Sequence, residues 1–396
     1  MDNQTAVHQL KPAAGTINVV QGSEKGLEDL LLNNVRELEQ KIAGSKMPEF
    51  LRENTLKMMK RMIRMAKFGN YSSDYEQVAK YIEWVASVPW TNFTKDNLDI
   101  ENAKRILDAN HYGMLPIKNR IIEYLSVMKL QSQKGMLPGY ADESGQMEKL
   151  QGSSAHAPIL CFVGLQGIGK TSMAKSIAHA MGKKFIRVSL GAIGDVRNLR
   201  GQSRINPDAE PGQIVKALIR SQSMNPLILL DEIDKVSGEG GLRSDVNAAL
   251  LEILDPEQNA TFMDHYLDYP VNLSQVMFIT TANNLGTVTT ALLDRLDVIR
   301  FISYSDDEKE VIARDYLFPK VIKSVGLEPG QIEFSPDVWP QIIRPLGYDA
   351  GIRQLERNLT SLARRVAKMV VEGRGTKFVI TQANVKTFMP TDITVI

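Results

Sequence analysis

The chain predicts an α/β fold: a P-loop parallel β-sheet with helices on both faces, preceded by an α-helical region and followed by a small, mainly helical unit. Three observations carry this. Short apolar runs at 159–163, 185–188, 227–230 and 276–280 alternate with helical stretches, the pattern of parallel strands joined by helical crossovers. The first run leads straight into a glycine-rich stretch ending in Gly169-Lys170-Thr171, which opens a helix-like run at 172–181. The flanking segments have helical rather than alternating periodicity.

Residues 1–25 mix Gly, Pro, Gln, Asn and Thr without period and read as a flexible leader. Residues 26–95 read as a helical region. Leu27, Leu30, Leu31, Val35, Leu38 and Ile42 share one helical face; Leu51, Leu56, Met59, Met62, Ile63 and Met65 follow Pro48 on a second. Ser72-Ser73-Asp74 caps a third helix carrying Tyr75, Val78, Ile82, Trp84 and Val85, which Pro89 ends. The methionines on these helices suggest either an adaptable binding face or gap-filling between packed helices, and the second is the expectation. Residues 96–303 read as the nucleotide-binding domain. It begins with a helical pair over 98–130 and contains a Gly-, Ser- and Gln-rich insertion at 131–157, expected to be flexible. Residues 304–396 read as the small unit, helical to about Gly373, then β-like at Phe378-Val379-Ile380.

Composition excludes several classes. Of 396 residues, 43% are hydrophobic, and 47 basic residues balance 46 acidic ones for a net charge of +1. Balanced charge gives no electrostatic argument for nucleic acid or a membrane surface. The single cysteine, Cys161, permits no intrachain disulfide, and no Cys/His spacing suggests a metal cage. No apolar run approaches a membrane span, and the first 25 residues hold neither an apolar signal core nor arginine. A cytoplasmic protein is expected.

Gly164-Leu165-Gln166-Gly167-Ile168-Gly169-Lys170-Thr171 fits G-x-x-x-x-G-K-[ST] in the strand–loop–helix setting that the motif needs. Its glycines let backbone N–H groups turn in around phosphate oxygens at a helix N-terminus. Lys170 neutralises the phosphates, and Thr171 is a ligand for Mg²⁺. The run 226–230 ends in Asp231-Glu232, which assigns Asp231 to the metal and Glu232 to the base that activates water. After 276–281 comes Asn283, an amide able to orient that water or simply to form a turn. Arg295 in Leu292-Leu293-Asp294-Arg295 is an arginine finger or a surface salt bridge; the chemistry of these residues alone leaves both positions open. The expected ligands are ATP and Mg²⁺.

Read together, residues from about Gly26 to Gly373 resemble the ATPase module of the Lon protease family, of the AAA+ type. Tyr81-Ile82-Glu83-Trp84, Val88-Pro89-Trp90, Asp96-Asn97-Leu98-Asp99 and His111-Tyr112-Gly113 carry the resemblance before the phosphate loop. Leu230-Asp231-Glu232-Ile233-Asp234-Lys235, the stretch from Leu250 through Asp255-Pro256-Glu257-Gln258-Asn259, Asp264-His265-Tyr266-Leu267-Asp268 and Gly351-Ile352-Arg353-Gln354-Leu355 carry it after. The resemblance implies a five-stranded sheet with ATP bound between it and the helical lid. It makes Asn283 the first sensor, Arg295 the finger that completes a neighbour's site and Arg353 the second sensor. Tyr112 and Gly113 fall beside the adenine. It implies a homo-oligomeric, hexameric ring that unfolds protein substrates through a central pore.

Several departures set further expectations. The family's amino-terminal substrate domain and its Ser–Lys peptidase dyad have no counterpart in these residues, so a motor module without its own proteolytic site is expected, with a separate peptidase as a candidate partner. Between Arg200-Gly201 and Pro211-Gly212 the family's aromatic–aliphatic–Gly step is replaced by Asn206-Pro207-Asp208, which lacks the ring that grips a moving chain. The insertion at 131–157 is longer than the family's usual connection, and Leu165-Gln166 replaces a commoner Pro-Pro. An alternative to the motor is therefore a nucleotide-gated binding module that assembles without pulling. A nucleic-acid motor, the other use of this architecture, is opposed by the balanced charge.

Overall fold

The computed structural model describes residues 24–67, 73–134, 159–206, 208–236, 241–344 and 351–389. Apart from Glu24 and Lys25, the expected leader lies outside them, as does the expected insertion beyond residue 134.

Helices α1 (Glu24–Gly44), α2 (Glu49–Lys67) and α3 (Ser73–Ser87) pack on one another. Val35, Leu38 and Ile42 of α1 meet Leu51, Met59 and Met62 of α2 and Tyr75, Ile82 and Val85 of α3, all buried. Met59 and Met62 are thus core filling rather than an adaptable surface. The helical pair that follows is α4 (Ile100–Asn110), capped by the Asp99 carboxylate on the Glu101 and Asn102 N–H groups, and α5 (Leu115–Gln133), with Pro116 in its first turn.

The strands, in chain order, are β1 (Ile159–Val163), β2 (Phe185–Ser189), β3 (Leu227–Asp231), the hairpin β4 (Phe262–Asp264) and β5 (Tyr269–Val271), β6 (Met277–Ala282) and β7 (Leu296–Arg300). Five of them form one parallel sheet in the order β2-β3-β6-β1-β7. Helices α6 (Lys170–Ala180), α7 (Arg197–Arg200), α8 (Gln213–Ser221), α9 (Gly241–Leu254) and α10 (Thr290–Leu293) connect them. Side-chain alternation divides the core. Leu160, Phe162, Leu227, Leu229 and Ile279 join α6 on one face; Cys161, Val163, Ile228, Leu230 and Phe278 join α8 and α9 on the other. Burial on both faces is why these strands read as continuous apolar runs.

After the sheet, α11 (Asp306–Val311) runs through a wider π-type turn at Ile312–Leu317 into α12 (Phe318–Val325). Strand β8 (Ile332–Phe334), α13 (Trp339–Ile343), α14 (Arg353–Val371), β9 (Phe378–Ile380) and α15 (Val385–Phe388) follow. The expectation of helix throughout 306–373 is corrected here: Ile332–Phe334 pairs in parallel with Phe378–Ile380. A strand this short has no readable period. Among the described residues no helix is long and apolar enough to cross a membrane.

Candidate nucleotide site

The phosphate loop leaves β1 at Val163 and enters α6 at Lys170. Its entry is tied to the neighbouring strand by the Gly164 N–H on the Ala282 carbonyl, 3.1 Å. Gly164 has φ +156°, and a Cβ there would collide with the Ile168 side chain and lie 2.6 Å from the Phe301 carbonyl. Only glycine closes this turn. Ile168 is buried beneath the loop and anchors it, whereas Leu165 and Gln166 point outward. Lys170 Nζ donates to the carbonyl of Gly164, to that of Leu165 at 3.0 Å and to Asn283 Oδ1 at 2.9 Å. Burial draws the Lys170 ammonium below the usual lysine range; Asp231 and Asp234 oppose that, and Arg353 adds to it.

The two carboxylates follow from sheet register. Leu230 pairs with Thr280 on β6, so the next residues, Asp231 and Thr281, stand side by side. Asp231 is buried, takes the Thr281 hydroxyl on Oδ1 and takes Arg187 Nε on Oδ2 at 2.6 Å. The chain then turns sharply. Glu232 sits at φ 63°, ψ 50°, and its N–H donates to Thr281 Oγ1 at 2.9 Å. The Glu232 carboxylate accepts from Lys235 Nζ at 2.7 Å and lies over Gly191, where a Cβ would come within 3.0 Å of Oε2.

The lid closes on the loop through Gly351-Ile352-Arg353. The Ile352 N–H donates to the Gly167 carbonyl at 3.0 Å, and a Cβ on Gly351 would lie 2.7 Å from the Gln166 carbonyl. The Arg353 side chain crosses Gly167, whose φ of +81° and absent Cβ make the approach possible: a Cβ would be 3.2 Å from Arg353 Cγ. On the opposite side, residues 111–114 run between α6 and the start of the lid. His111 Nε2 meets Ser176 Oγ at 2.9 Å. Burial, with Lys118 and Lys320 nearby, pushes its pKa down to about 4. The Tyr112 ring meets Tyr316 edge-on at 6.2 Å, and Gly113 faces Glu308. Tyr304 OH donates to the Ile168 carbonyl at 3.4 Å and reaches Met114 Sδ at 3.7 Å, joining this segment to the loop.

Lys170, Asn283 and Arg353 therefore converge on the loop, with Asp231 and Glu232 at a neighbouring strand end, while Tyr112 and Gly113 touch Tyr316 and Glu308 and are joined to the loop only through Met114 and Tyr304. Arg295 does not join them. Its Nη2 donates to Asp255 Oδ2 at 2.9 Å and its Nη1 to the Ala291 carbonyl at 3.1 Å. Burial would raise the Asp255 carboxyl, but hydrogen bonds from Arg295, the Glu257 N–H and Gln258 hold it below the usual range. Sequence reasoning passed over Arg187, Thr281, Asp255, Lys235 and Tyr304. Only cross-strand register and tertiary contacts reveal them, although Asp255 and Lys235 lie within stretches that carried the family resemblance.

The residues present fit a magnesium nucleotide. Thr171 and Asp231 are hard oxygen donors of the kind Mg²⁺ takes, and the positive φ of Gly164, Gly167 and Gly169 holds the loop backbone in a turn of the kind that cradles phosphate. Among the described residues no group of three or more His, Cys, Asp or Glu side chains is placed to hold a metal. A cation bound here would take the rest of its shell from phosphate oxygens and water.

A model of the ATPase family associated with various cellular activities matches residues 160–304, and a model of the Lon protease AAA+ ATPase lid domain matches 323–379. The chain is a Lon-family AAA+ module. The Lon proteases of Nitratidesulfovibrio vulgaris and Dictyoglomus thermophilum are each 43% identical to it over 88% of the chain, covering 39% and 41% of their own lengths. Lon protease 1 of Bacillus subtilis is 38% identical over 92% of the chain and 44% of its own length. The chain thus spans about two fifths of the curated relatives it matches. The Lon lid model begins in α12 and ends in β9, so it includes the β8–β9 pair and the Arg353 helix that rests on the phosphate loop.

Proposed function

We propose that this Lon-family AAA+ ATPase hydrolyses ATP with Mg²⁺ in a hexameric ring of identical, cytoplasmic subunits and uses the cycle to unfold or remodel protein substrates. In the whole protein, or with a separate peptidase, that work is coupled to proteolysis. One observation carries the reading: Lys170 ties the phosphate loop to Asn283 at the end of β6 while Arg353 of the lid lies across Gly167. Loop, sheet and lid meet at one point.

The roles follow. Backbone N–H groups of 164–169 and the start of α6 hold phosphate oxygens, and Lys170 exchanges its loop carbonyls for them. Tyr112 and Gly113 flank the base. Thr171 and Asp231 supply protein oxygens to Mg²⁺, which neutralises phosphate charge when bound. Glu232, released from Lys235, takes the proton of the attacking water, and Asn283 orients that water. Arg353 senses nucleotide from the lid. Arg295, held by Asp255 away from its own loop, faces a neighbouring subunit's γ-phosphate.

The test is specific ATPase activity across protein concentrations, beside Glu232→Gln. Activity is expected to rise with concentration and to fall at least ~100-fold in the variant while ATP binding persists. A wild type that binds ATP but turns none over at any concentration would remove the hydrolysis claim.

A nucleotide-gated binding or assembly module is the second reading, and the loop at 201–212 favours it. Asn206 occupies an exposed turn where the pulling ring is expected, with its N–H on the Ser203 carbonyl at 3.1 Å and its carbonyl accepting from Ala209 at 3.2 Å. Replacing Asn206-Pro207 with an aromatic–aliphatic pair separates the two: no gain in substrate unfolding, with nucleotide-dependent assembly intact, favours the binding module.

A further inference from the structure

We propose that Thr281 is a positioning residue for hydrolysis, a single hydroxyl that sets the metal-side carboxylate and the base together. The proposal rests on the roles given above to Asp231 and Glu232. Thr281 is fully buried on β6, two residues before Asn283, which follows the end of the strand. Its hydroxyl has one hydrogen to give, and gives it to Asp231 Oδ1. Its oxygen accepts the Glu232 N–H at 2.9 Å, at the residue where the chain turns into the left-handed region. One side chain thereby fixes the rotamer of Asp231 and the backbone direction from which Glu232 departs.

Register explains why no other position does this. Asp231 is flanked by β2 on one side and β6 on the other. Arg187 pairs with Leu229, two residues before Asp231 and on the same face, and reaches Oδ2 diagonally; Thr281 stands directly beside Asp231 and reaches Oδ1. Both oxygens are oriented from outside, which leaves the carboxylate little freedom to rotate and turns its remaining lone pairs in one direction. The Arg187 side chain is half exposed, whereas Thr281 has no solvent to replace its bond. Valine at 281 preserves the shape but leaves the Glu232 N–H without an acceptor and Asp231 short of a donor. A misplaced carboxylate and a relaxed turn act on the chemical step and on Mg²⁺, not on nucleotide held by the glycine cradle.

The experiment compares Thr281→Val, Thr281→Ala and Thr281→Ser with wild type in the full chain. The readouts are kcat, KM, thermal melting, binding of a fluorescent ATP analogue without Mg²⁺, and the Mg²⁺ concentration at half-maximal effect on that binding. Val and Ala are expected to lower kcat roughly 10–100-fold and to raise the Mg²⁺ midpoint, with metal-free nucleotide affinity unchanged. Ser, which keeps the hydroxyl, restores both. The Ser/Ala pair differs by the hydroxyl alone, so it decides the matter even where Val fails to fold. Wild-type kcat and Mg²⁺ midpoint in Ala, Ser no better than Ala, or unfolding of Val and Ala but not Ser would each overturn the proposal. Glu232→Gln runs alongside: if it retains full turnover, the assignment of the base fails instead.

Discussion

The loops at 164–169 and 201–212 are built from similar parts and used in opposite ways. Each is framed by glycines and braced by a buried carboxylate nearby. In the first, the charged groups are drawn inward: Lys170 onto loop carbonyls and Asn283, Asp231 onto Thr281 and Arg187. In the second, the buried Asp264 accepts the N–H groups of Gly212, Tyr266 and Leu267, clamping the base of the loop. Arg204 lies over Tyr81 of α3 at 4.3 Å and pairs with Asp268. The tip then turns Ile205 outward, 89% exposed, beside Asn206. One loop turns its polar groups into the subunit, the other presents side chains outside it. Among the described residues the two loops share no hydrogen bond, so the proposed nucleotide chemistry and any proposed contact with a substrate at 201–212 can be altered separately.

That separation can be broken by mutation. The largest effect is expected from Lys170→Ala, which removes phosphate neutralisation and should cut ATP turnover by at least ~100-fold. Limited proteolysis of the 201–212 loop should be unchanged. A change in that cleavage pattern would mean the two loops are coupled without nucleotide.

Next in size is Gly212→Ala. Its Cβ would run into the Leu199 carbonyl and come within 2.7 Å of the Gly201 N, backbone that has no room to yield. A loss of about 3 kcal/mol in denaturant unfolding is expected, while the molecules that remain folded bind ATP normally.

A gentler comparison uses pH. His111, at the end of α4 and packed on Ser176 of α6, has its pKa pushed from 6.5 to about 4 by burial, so the folded state keeps it neutral. Between those values the unfolded state binds the extra proton. Stability present above pH 6.5 is lost as pH falls toward 4, by roughly 2–3 kcal/mol. Melting temperature against pH should fall less steeply in His111→Gln over that window.

Much of the first loop was legible in the sequence because its parts are contiguous: one strand, one glycine-rich turn, one lysine, one helix. Asp231 and Asn283 were legible because strand ends have few uses for polar residues after an apolar run. Their braces were not. Arg187 and Thr281 become partners of Asp231 only through parallel register between strands far apart in sequence, and a threonine within an apolar strand reads as an ordinary β-former. Strand β7 was not among the apolar runs because an edge strand with Asp297 and Arg300 breaks the pattern. Strand β8 is too short to carry one. The resemblance supplied what contiguity does not, including Arg353, which touches Gly167 only after the lid folds back.

The central claim is a shared site in which Arg295 serves a neighbour. It is tested most directly by mixing two variants that are each inactive, Glu232→Gln and Arg295→Ala, at a series of ratios. Sites that keep Glu232 and receive Arg295 from the other variant should recover a fraction of wild-type hydrolysis, greatest near equal amounts. No recovery at any ratio, with mixed assemblies verified by size and by co-purification of differently tagged chains, would contradict the shared site and leave Arg295 a partner of Asp255 within its own subunit.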